Sequence, residues 1–438
     1  MFRKIAIFFE SLVNPYPESI SKYSEKNLFK FIWSCTNGLK KYIAIVTIFT
    51  SLVGIVESVI FSLIGNIVNK LSNISPSQLY DECGYLIISL CSMLLLSPLA
   101  VAGLTLFKFQ VLQGNFPMKL RWNFHRLILS KDITFFQNEF SGNVATKVMQ
   151  TALATKNIVI AFCDIFVFVM IYFISAAVVL TTFNIFLVLP FCIWAILYML
   201  ICIYFLPRLT EVAKTQAEDR SLTTGRISDA YANIATVKLF SYNKRESDYI
   251  RRTMGKYMIS VLGQQRLVSA FDISVYLLSM IMVLSTAVIS LWLWTKGTVG
   301  VGIIAASTAM ALRFNSISQW AMWVIADFFE HIGTAKDGMN MLSYRNKLTD
   351  NAQADKFKVH SGEIIFKNVE FSYCNNKSVL HNFNLKIKPG EKIGLIGHSG
   401  AGKSTIISLL LRFYDLKNGA ILIAVSYTHL TLPTTSRV

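Results

Sequence analysis

Six apolar stretches constrain this chain more than any other feature. They cover residues 43–67, 84–107, 158–180, 184–206, 268–293 and 299–323. A helix of about twenty residues crosses the roughly 30 Å hydrocarbon layer of a membrane, and only helices and closed barrels satisfy their backbone polar groups there. The composition agrees, because hydrophobic residues make up 53% of the chain and charged residues only 15%. We therefore predict a mainly α-helical membrane domain with six spans.

The distribution of basic residues predicts how the spans are oriented. The formal net charge of +17 alone would be compatible with nucleic-acid binding. Lys and Arg are instead concentrated before the first span and in residues 108–156 and 207–266, whereas the alternate connections hold almost none. This is the positive-inside pattern of membrane proteins. We expect a multi-pass protein of the cytoplasmic (inner) membrane, with both termini and both long loops cytoplasmic and no nucleic-acid partner.

The two long loops, of about 49 and 60 residues, have the composition of helices rather than of flexible linkers. We expect each to extend its flanking spans as helices that turn at the far end. The sequence places these turns near residues 135–142 and 232–237. Loops of this length are uncommon without a function, so contact with a cytoplasmic domain is the interpretation we favour.

A phosphate-binding motif follows the spans. The motif residues are Gly397, His398, Ser399, Gly400, Ala401, Gly402, Lys403, Ser404 and Thr405, which form G-x-x-x-x-G-K-[ST]. In such a loop the backbone N–H groups surround phosphate oxygens, Lys403 reaches the β- and γ-phosphates, and the Ser404 hydroxyl ligates Mg²⁺. We predict a buried strand over 392–396 before the loop and a helix over 404–413 after it; the alternative is a chance match in a glycine-containing turn.

The domain boundaries follow from these features. A cytoplasmic N-terminus (1–40) carries a short interfacial helix within 24–40, for which a plain juxtamembrane tail is the alternative. The membrane domain covers 41–344 and a polar linker covers 345–361. The N-terminal part of an ATP-binding domain covers 362–423, where alternating apolar residues predict strands over 364–373 and 383–388, with a turn at Pro389–Gly390.

Six spans, two long loops, a linker and then two strands and a phosphate loop resemble the ATP-binding-cassette (ABC) exporters, in particular half-transporters with an N-terminal membrane domain. Residues 135–142 and 229–240 are similar to the two coupling regions of that family, and Val369–Tyr373 is similar to the strand whose aromatic residue stacks on adenine. The resemblance implies a six-helix exporter domain followed by a truncated α/β P-loop domain. It also implies ATP and Mg²⁺ as cofactors and a second half-transporter, as a homodimer or heterodimer, as partner. The implied substrate is a lipid, drug or other small amphiphile.

The resemblance implies that Tyr373 stacks on adenine, whereas the residues alone favour a strand aromatic that packs on its neighbours. Two other functions remain open from the sequence: a membrane-tethered P-loop kinase or sensor, and a channel gated by its nucleotide domain. The first would not explain the paired long loops. Hydrolysis-coupled transport distinguishes an exporter from the second.

The printed chain holds no signature motif, Walker B acidic pair or switch histidine after the phosphate loop. We expect such a chain to bind nucleotide weakly without hydrolysing it. Residues 424–438 resemble a translated transposase adapter from a sequencing library. We therefore expect the native sequence to be interrupted after Ile423 and the tail to be of foreign origin.

Two charged residues lie near the middle of predicted spans, Glu57 in the first and Arg313 in the sixth. A charge at the bilayer centre costs about 2.5–3.5 kcal/mol on insertion scales, so both side chains should face the helix bundle or a wet cavity. They could line a substrate path, as a pair, or could serve only as a structural bond between helices.

Overall fold

The computed structural model describes residues 2–18, 23, 27–72, 74, 78–138, 141–240, 243–344, 346, 348, 362–373, 378–398 and 400–423. Its α-helices are α1 (Phe2–Glu10), α2 (Leu28–Cys35), α3 (Lys40–Leu71), α4 (Leu79–Thr105), α5 (Asn115–Leu129), α6 (Ile133–Asn138), α7 (Ser141–Ile160), α8 (Val167–Phe183), α9 (Leu189–Ala232), α10 (Ile234–Leu239), α11 (Asn243–Thr295), α12 (Val301–Leu342) and α13 (Lys403–Leu410). The strands are β1 (Ile364–Ser372), β2 (Ser378–Ile387) and β3 (Asn418–Ile423). The tail 424–438 and most of the predicted linker lie outside these residues.

Six helical runs in the described part of the chain are long and apolar enough to cross a membrane. They are Lys40–Leu71, Cys83–Leu129, Val144–Phe183, Ile185–Ala232, Asn243–Thr295 and Val301–Leu342. Each overlaps one predicted apolar stretch almost completely, so the prediction of six membrane helices is confirmed. π-Helical segments join α4 to α5 (Leu106–Gln113) and α7 to α8 (Ala161–Phe166). The runs extend well beyond their apolar stretches, which confirms helical extensions into both long loops.

Short helices interrupt both long loops near the turns that the sequence predicts. The first carries the short helix α6, although residues 139 and 140 lie outside the described part. In the second, α9 ends at Ala232, and the Asn233 amide donates to the Asp229 carbonyl at 3.0 Å before α10 begins. Asparagine side chains compete for backbone hydrogen bonds in this way, which favours a helix end at this point.

The sixth span, α12, is the most buried of the candidate spans. Half of its most apolar window is buried, against 11–28% for the other five. Phe314 on α12 meets the ring of Trp194 on α9 edge to face, with centroids 4.7 Å apart, and stacks on Tyr172 of α8. The indole of Trp194 donates to the Ser279 hydroxyl of α11 at 3.2 Å, which satisfies its buried N–H.

Helices α3 and α12 approach each other closely through glycines. A Cβ added at Gly65 would lie 2.5 Å from the Cβ of Ala306. A Cβ added at Gly302 would overlap backbone atoms of Gly65 and Asn69. Small residues allow this contact of backbones, which provides much of the attraction between helices in a lipid environment.

The N-terminal segment contains one helix that the sequence predicted and one that it did not. Helix α2 lies within the predicted 24–40 and is capped by Asn27, whose side chain accepts from the Phe29 N–H at 2.9 Å. Helix α1 was missed because its apolar run is short. It is held by tertiary contacts, since the ring of Phe9 meets that of Phe107 at 5.1 Å and the Asn115 amide donates to the Glu10 carbonyl.

The described residues within 124–148 and 340–423 form one compact unit, and the other described residues form a second. The former unit contains an antiparallel sheet of order β2-β1-β3. In its register, Phe366 lies opposite Leu385 on one side and Ile421 on the other. The sheet packs on α13 through a core that includes Phe366, Val369, Phe371, Leu380, Ile406, Leu409, Leu416 and Ile421.

Three of the predicted elements of this domain differ from the structure. Strand β1 and the turn at Pro389–Gly390 are confirmed. Strand β2 begins earlier than predicted, at Ser378, and the helix predicted over 404–413 is α13, which ends at Leu410. The predicted strand over 392–396 is wrong, because these residues have no strand pairing and the Ile396 side chain is fully exposed. A strand requires a neighbour for its backbone N–H and C=O groups, and the described sheet gives this segment none.

Candidate nucleotide-binding site

The phosphate loop has the backbone conformation that its glycines permit. Gly400 and Gly402 adopt φ of +85° and +84°, which disfavour any residue with a Cβ. Gly402 is the N-cap residue of α13 and lies against β2, where a Cβ would come within 3.3 Å of the side chains of Val379 and Leu380. Both glycines are therefore needed for this turn into the helix. Ser399 lies outside the described residues.

Lys403 directs its charge into the loop. Its Nζ donates to the backbone carbonyls of Gly397 and His398, both at 2.8 Å. The Ala401 N–H donates to the His398 carbonyl at 3.2 Å and closes the turn. A positive charge held beside the N-terminus of α13, whose first N–H groups have no helical partner, suits a bound anion.

The first turn of α13 presents two hydroxyls with different surroundings. The Thr405 residue is buried, and its hydroxyl lies 3.2 Å from the Tyr373 hydroxyl. Ser404 is exposed at the start of the helix. An exposed hydroxyl next to a phosphate loop is compatible with the predicted Mg²⁺ ligand, since Mg²⁺ prefers oxygen ligands and keeps several waters.

Tyr373 lies directly after β1 and close to α13, so the structure brings the candidate adenine-binding residue next to the phosphate loop. Its ring meets Phe371 edge to face at 4.8 Å and Tyr414 edge to face at 5.3 Å. The residue remains 41% exposed. A ring fixed by two aromatic neighbours and still open to solvent is well suited to stacking on a base.

Tyr414 connects this site to the first long loop, a contact that sequence reasoning missed. Its hydroxyl donates to the Gln137 side-chain carbonyl on α6 at 2.6 Å. The Lys131 ammonium, in the same loop, donates to the Leu342 carbonyl at the end of α12 at 3.0 Å. The available signals were the predicted turn at 135–142 and an aromatic residue just after the phosphate-loop helix, but no pattern pairs the two.

The structure also pairs the two charges predicted near the middle of spans. The Arg313 guanidinium on α12 donates to both carboxylate oxygens of Glu57 on α3. Its Nε donates to one oxygen, and a terminal nitrogen donates to the other at 3.2 Å. The side chains are 41% and 24% exposed. This bidentate geometry is the strongest form of an arginine–carboxylate pair.

Comparison with known protein families identifies the chain. The profile described as "ABC transporter transmembrane region" matches residues 42–318, more than half of the chain. The chain belongs to the ABC transporter family. A second profile, "ABC transporter", matches residues 380–435 and so includes the phosphate loop of this ABC transporter. That match reaches into the tail assigned to foreign origin, an assignment that stays a prediction.

Related proteins support the assignment to this family. The chain is 47% identical over 423 residues to an "Uncharacterized ABC transporter ATP-binding protein" of Haemophilus influenzae, covering 97% of this chain and 69% of that protein. It is 24% identical to the Bacillus subtilis protein YwjA, covering 68% of this chain and 52% of that one. The chain thus spans about half to two thirds of these proteins. A bacterial Atm1-family ABC exporter with ATP bound shares the fold at a TM-score of 0.73 and 18% identity, covering 90% of this chain and 70% of that one.

Proposed function

We propose that the full-length parent of this ABC transporter chain exports a small amphiphile, such as a lipid or drug, driven by ATP. The contact between Tyr414 and Gln137 carries the proposal, because it joins the nucleotide site to the loop that is continuous with two spans. A motion at the phosphate loop can reach membrane helices through it. Neither a tethered P-loop kinase nor a sensor requires such a contact.

In this proposal Lys403 holds the β- and γ-phosphates, the loop N–H groups surround them, and Tyr373 stacks on adenine. When bound, Mg²⁺ neutralises phosphate charge and would be held by the Ser404 hydroxyl. The remaining groups of the reaction would come from the parent and from a second half-transporter, either identical or different. The 438-residue chain by itself should therefore bind nucleotide without hydrolysing it.

We place the protein in the cytoplasmic membrane with its termini inside, on the basis of the Lys and Arg distribution. The Glu57–Arg313 pair is the candidate polar contact on the substrate path. The location of the pair supports this proposal, because Arg313 lies on the most buried span and both side chains are partly exposed.

Replacement of the P-loop lysine tests ATP-driven export. In the full-length parent, Lys403→Ala should abolish both ATP hydrolysis and uptake of a fluorescent amphiphile into inverted membrane vesicles. Lys392→Ala is the matched control, because Lys392 is exposed nearby and outside the motif. Unchanged uptake in Lys403→Ala would contradict the proposal.

The gated channel remains the second candidate, and the same vesicles distinguish it. A channel dissipates a solute gradient when ATP binds, whereas an exporter builds a gradient only while ATP is hydrolysed. A non-hydrolysable ATP analogue should therefore support no accumulation. Flux down a gradient with that analogue would favour the channel.

A further inference from the structure

A cluster of basic side chains lies where the second and third spans meet the first long loop. Lys108 directly follows the apolar stretch 84–107, and Lys156 lies two residues before the start of the stretch 158–180. Both therefore lie at the same end of their spans, near the depth of lipid head groups. Arg121, on α5, completes the cluster, and the charges of Lys108 and Arg121 both repel that of Lys156.

The carboxylate beside the cluster is already occupied. Asp164 accepts from the Lys108 ammonium at 2.5 Å and from the Thr50 hydroxyl at 2.9 Å, one bond to each oxygen. Asp327 and Glu330 on α12 lie near His331, which also experiences the charge of Lys156. Among the described residues, neither α12 carboxylate forms an ion pair with a base of this cluster.

Two basic groups thus remain without an anion. Lys156 is only 4% exposed, and the part of the chain that the structure describes gives its ammonium no hydrogen-bond or ion-pair partner. The buried Nε of Arg121 has no hydrogen-bond partner among those residues either. Burying a charge without a counterion is strongly unfavourable, so an anion bound at this position would stabilise the charged form of Lys156.

We propose that Lys156, Arg121 and Lys108 bind the phosphate of an anionic membrane lipid. The phosphate would be held by Lys156 and Arg121, while Lys108, already paired with Asp164 and with a side chain 23% exposed, lies where the cluster opens to its surroundings. Basic pockets between spans at head-group depth attract anionic lipids for this reason. The site does not depend on the proposed transport function, because a bound lipid need not be the cargo.

Thermal unfolding of the purified chain in neutral detergent tests this site. Phosphatidylglycerol should raise the Tm of the unmodified chain, because a ligand that binds only the folded state stabilises it. Phosphatidylcholine and inorganic phosphate at the same concentration should not. Lys156→Gln should weaken phosphatidylglycerol binding about tenfold or more. Without lipid, the same substitution should raise the Tm, since it removes a repelled buried charge.

Lys336→Gln is the matched control, because it removes an exposed lysine from α12 and should leave the lipid effect unchanged. Arg121→Gln provides a second variant should Lys156→Gln fail to fold, and lipid retained by each variant is counted by native mass spectrometry. Equal retention in Lys156→Gln, Arg121→Gln and Lys336→Gln would overturn the proposal. Protection by inorganic phosphate alone, or equally by phosphatidylcholine, would overturn the assignment to an anionic lipid.

Discussion

At the scale of single residues, the nucleotide site depends on how one aromatic ring is held. Tyr373 is fixed by the edge-to-face contacts with Phe371 and Tyr414, and its hydroxyl lies against Thr405 at the start of the phosphate-loop helix. The ring thereby lies at a set distance from the groups that would hold phosphate. A base and its phosphates can then be bound without first ordering the tyrosine, which reduces the entropy lost on binding.

Tyr373→Ala should lower the affinity of the purified chain for a fluorescent ATP analogue about five- to tenfold, because it removes the stacking surface. Tyr373→Phe should retain the affinity within about twofold, since it keeps the ring. Titration by fluorescence anisotropy measures both. Tyr231→Ala, at an exposed tyrosine on α9, is the control. An unchanged affinity in Tyr373→Ala would show that the ring only packs in the domain.

The Glu57–Arg313 pair should behave as a coupled unit. Arg313→Gln alone should lower the free energy of unfolding by about 1–2 kcal/mol, because it leaves a partly buried carboxylate without its partner. The partial exposure of both side chains keeps this value below that of a fully buried pair. The double variant Glu57→Gln with Arg313→Gln should recover part of the loss. Additive losses in a double-mutant cycle would contradict the coupling.

At the scale of helices and strands, α3 and α12 show how small residues determine packing. The contact requires glycine at both Gly65 and Gly302, because the obstacles to a Cβ are backbone atoms or the start of a side chain. Neither obstacle can rotate away. The two helices therefore have little freedom in their separation at this point.

Gly302→Ala should lower the free energy of unfolding in detergent by about 1–3 kcal/mol, as overpacking does. Gly333→Ala, on the same helix, is the matched control, because a Cβ there would meet nothing within 4 Å. That substitution should be neutral or stabilising, since alanine favours a helix over glycine. Equal effects of the two substitutions would show that helix propensity, rather than contact with α3, governs the result.

The contact between Tyr414 and Gln137 should matter for coupling rather than for binding. In the full-length parent, Tyr414→Phe keeps the ring beside Tyr373 and removes only the hydroxyl that reaches α6. We expect ATP affinity to stay within about twofold while substrate-stimulated hydrolysis falls. Gln137→Ala should have the same effect. A loss of ATP affinity in either variant would instead assign the pair to the nucleotide site itself.

At the scale of the whole molecule, the orientation of the six spans remains a prediction from charge. Lys296 lies in the short connection between α11 and α12, and Asn233 lies at the far end of the second long loop. In a background without the seven native cysteines, Lys296→Cys should react with an impermeant maleimide in intact cells. Asn233→Cys should react only after the membrane is opened. The reverse result would contradict a cytoplasmic location of the long loops.

Most of the membrane fold could be predicted from the sequence, because apolar length and charge distribution are local signals. The six spans, their helical extensions and the breaks near Gln137 and Asn233 all follow from such patterns. Contacts between distant segments could not be predicted. Helix α1 depends on Phe107, and the pairing of Tyr414 with Gln137 depends on the tertiary fold. The strand predicted over 392–396 fails for a related reason, since a strand depends on a neighbour.

The glycine contact between α3 and α12 has a consequence for passage through the protein. Backbones in van der Waals contact at Gly65 and Gly302 leave no room for even one water molecule between them. In this conformation the gap between the first and sixth spans is closed at that end. A solute that left there would require the two helices to move apart by several ångströms. A bulkier residue at either glycine would prevent the two helices from returning to this contact.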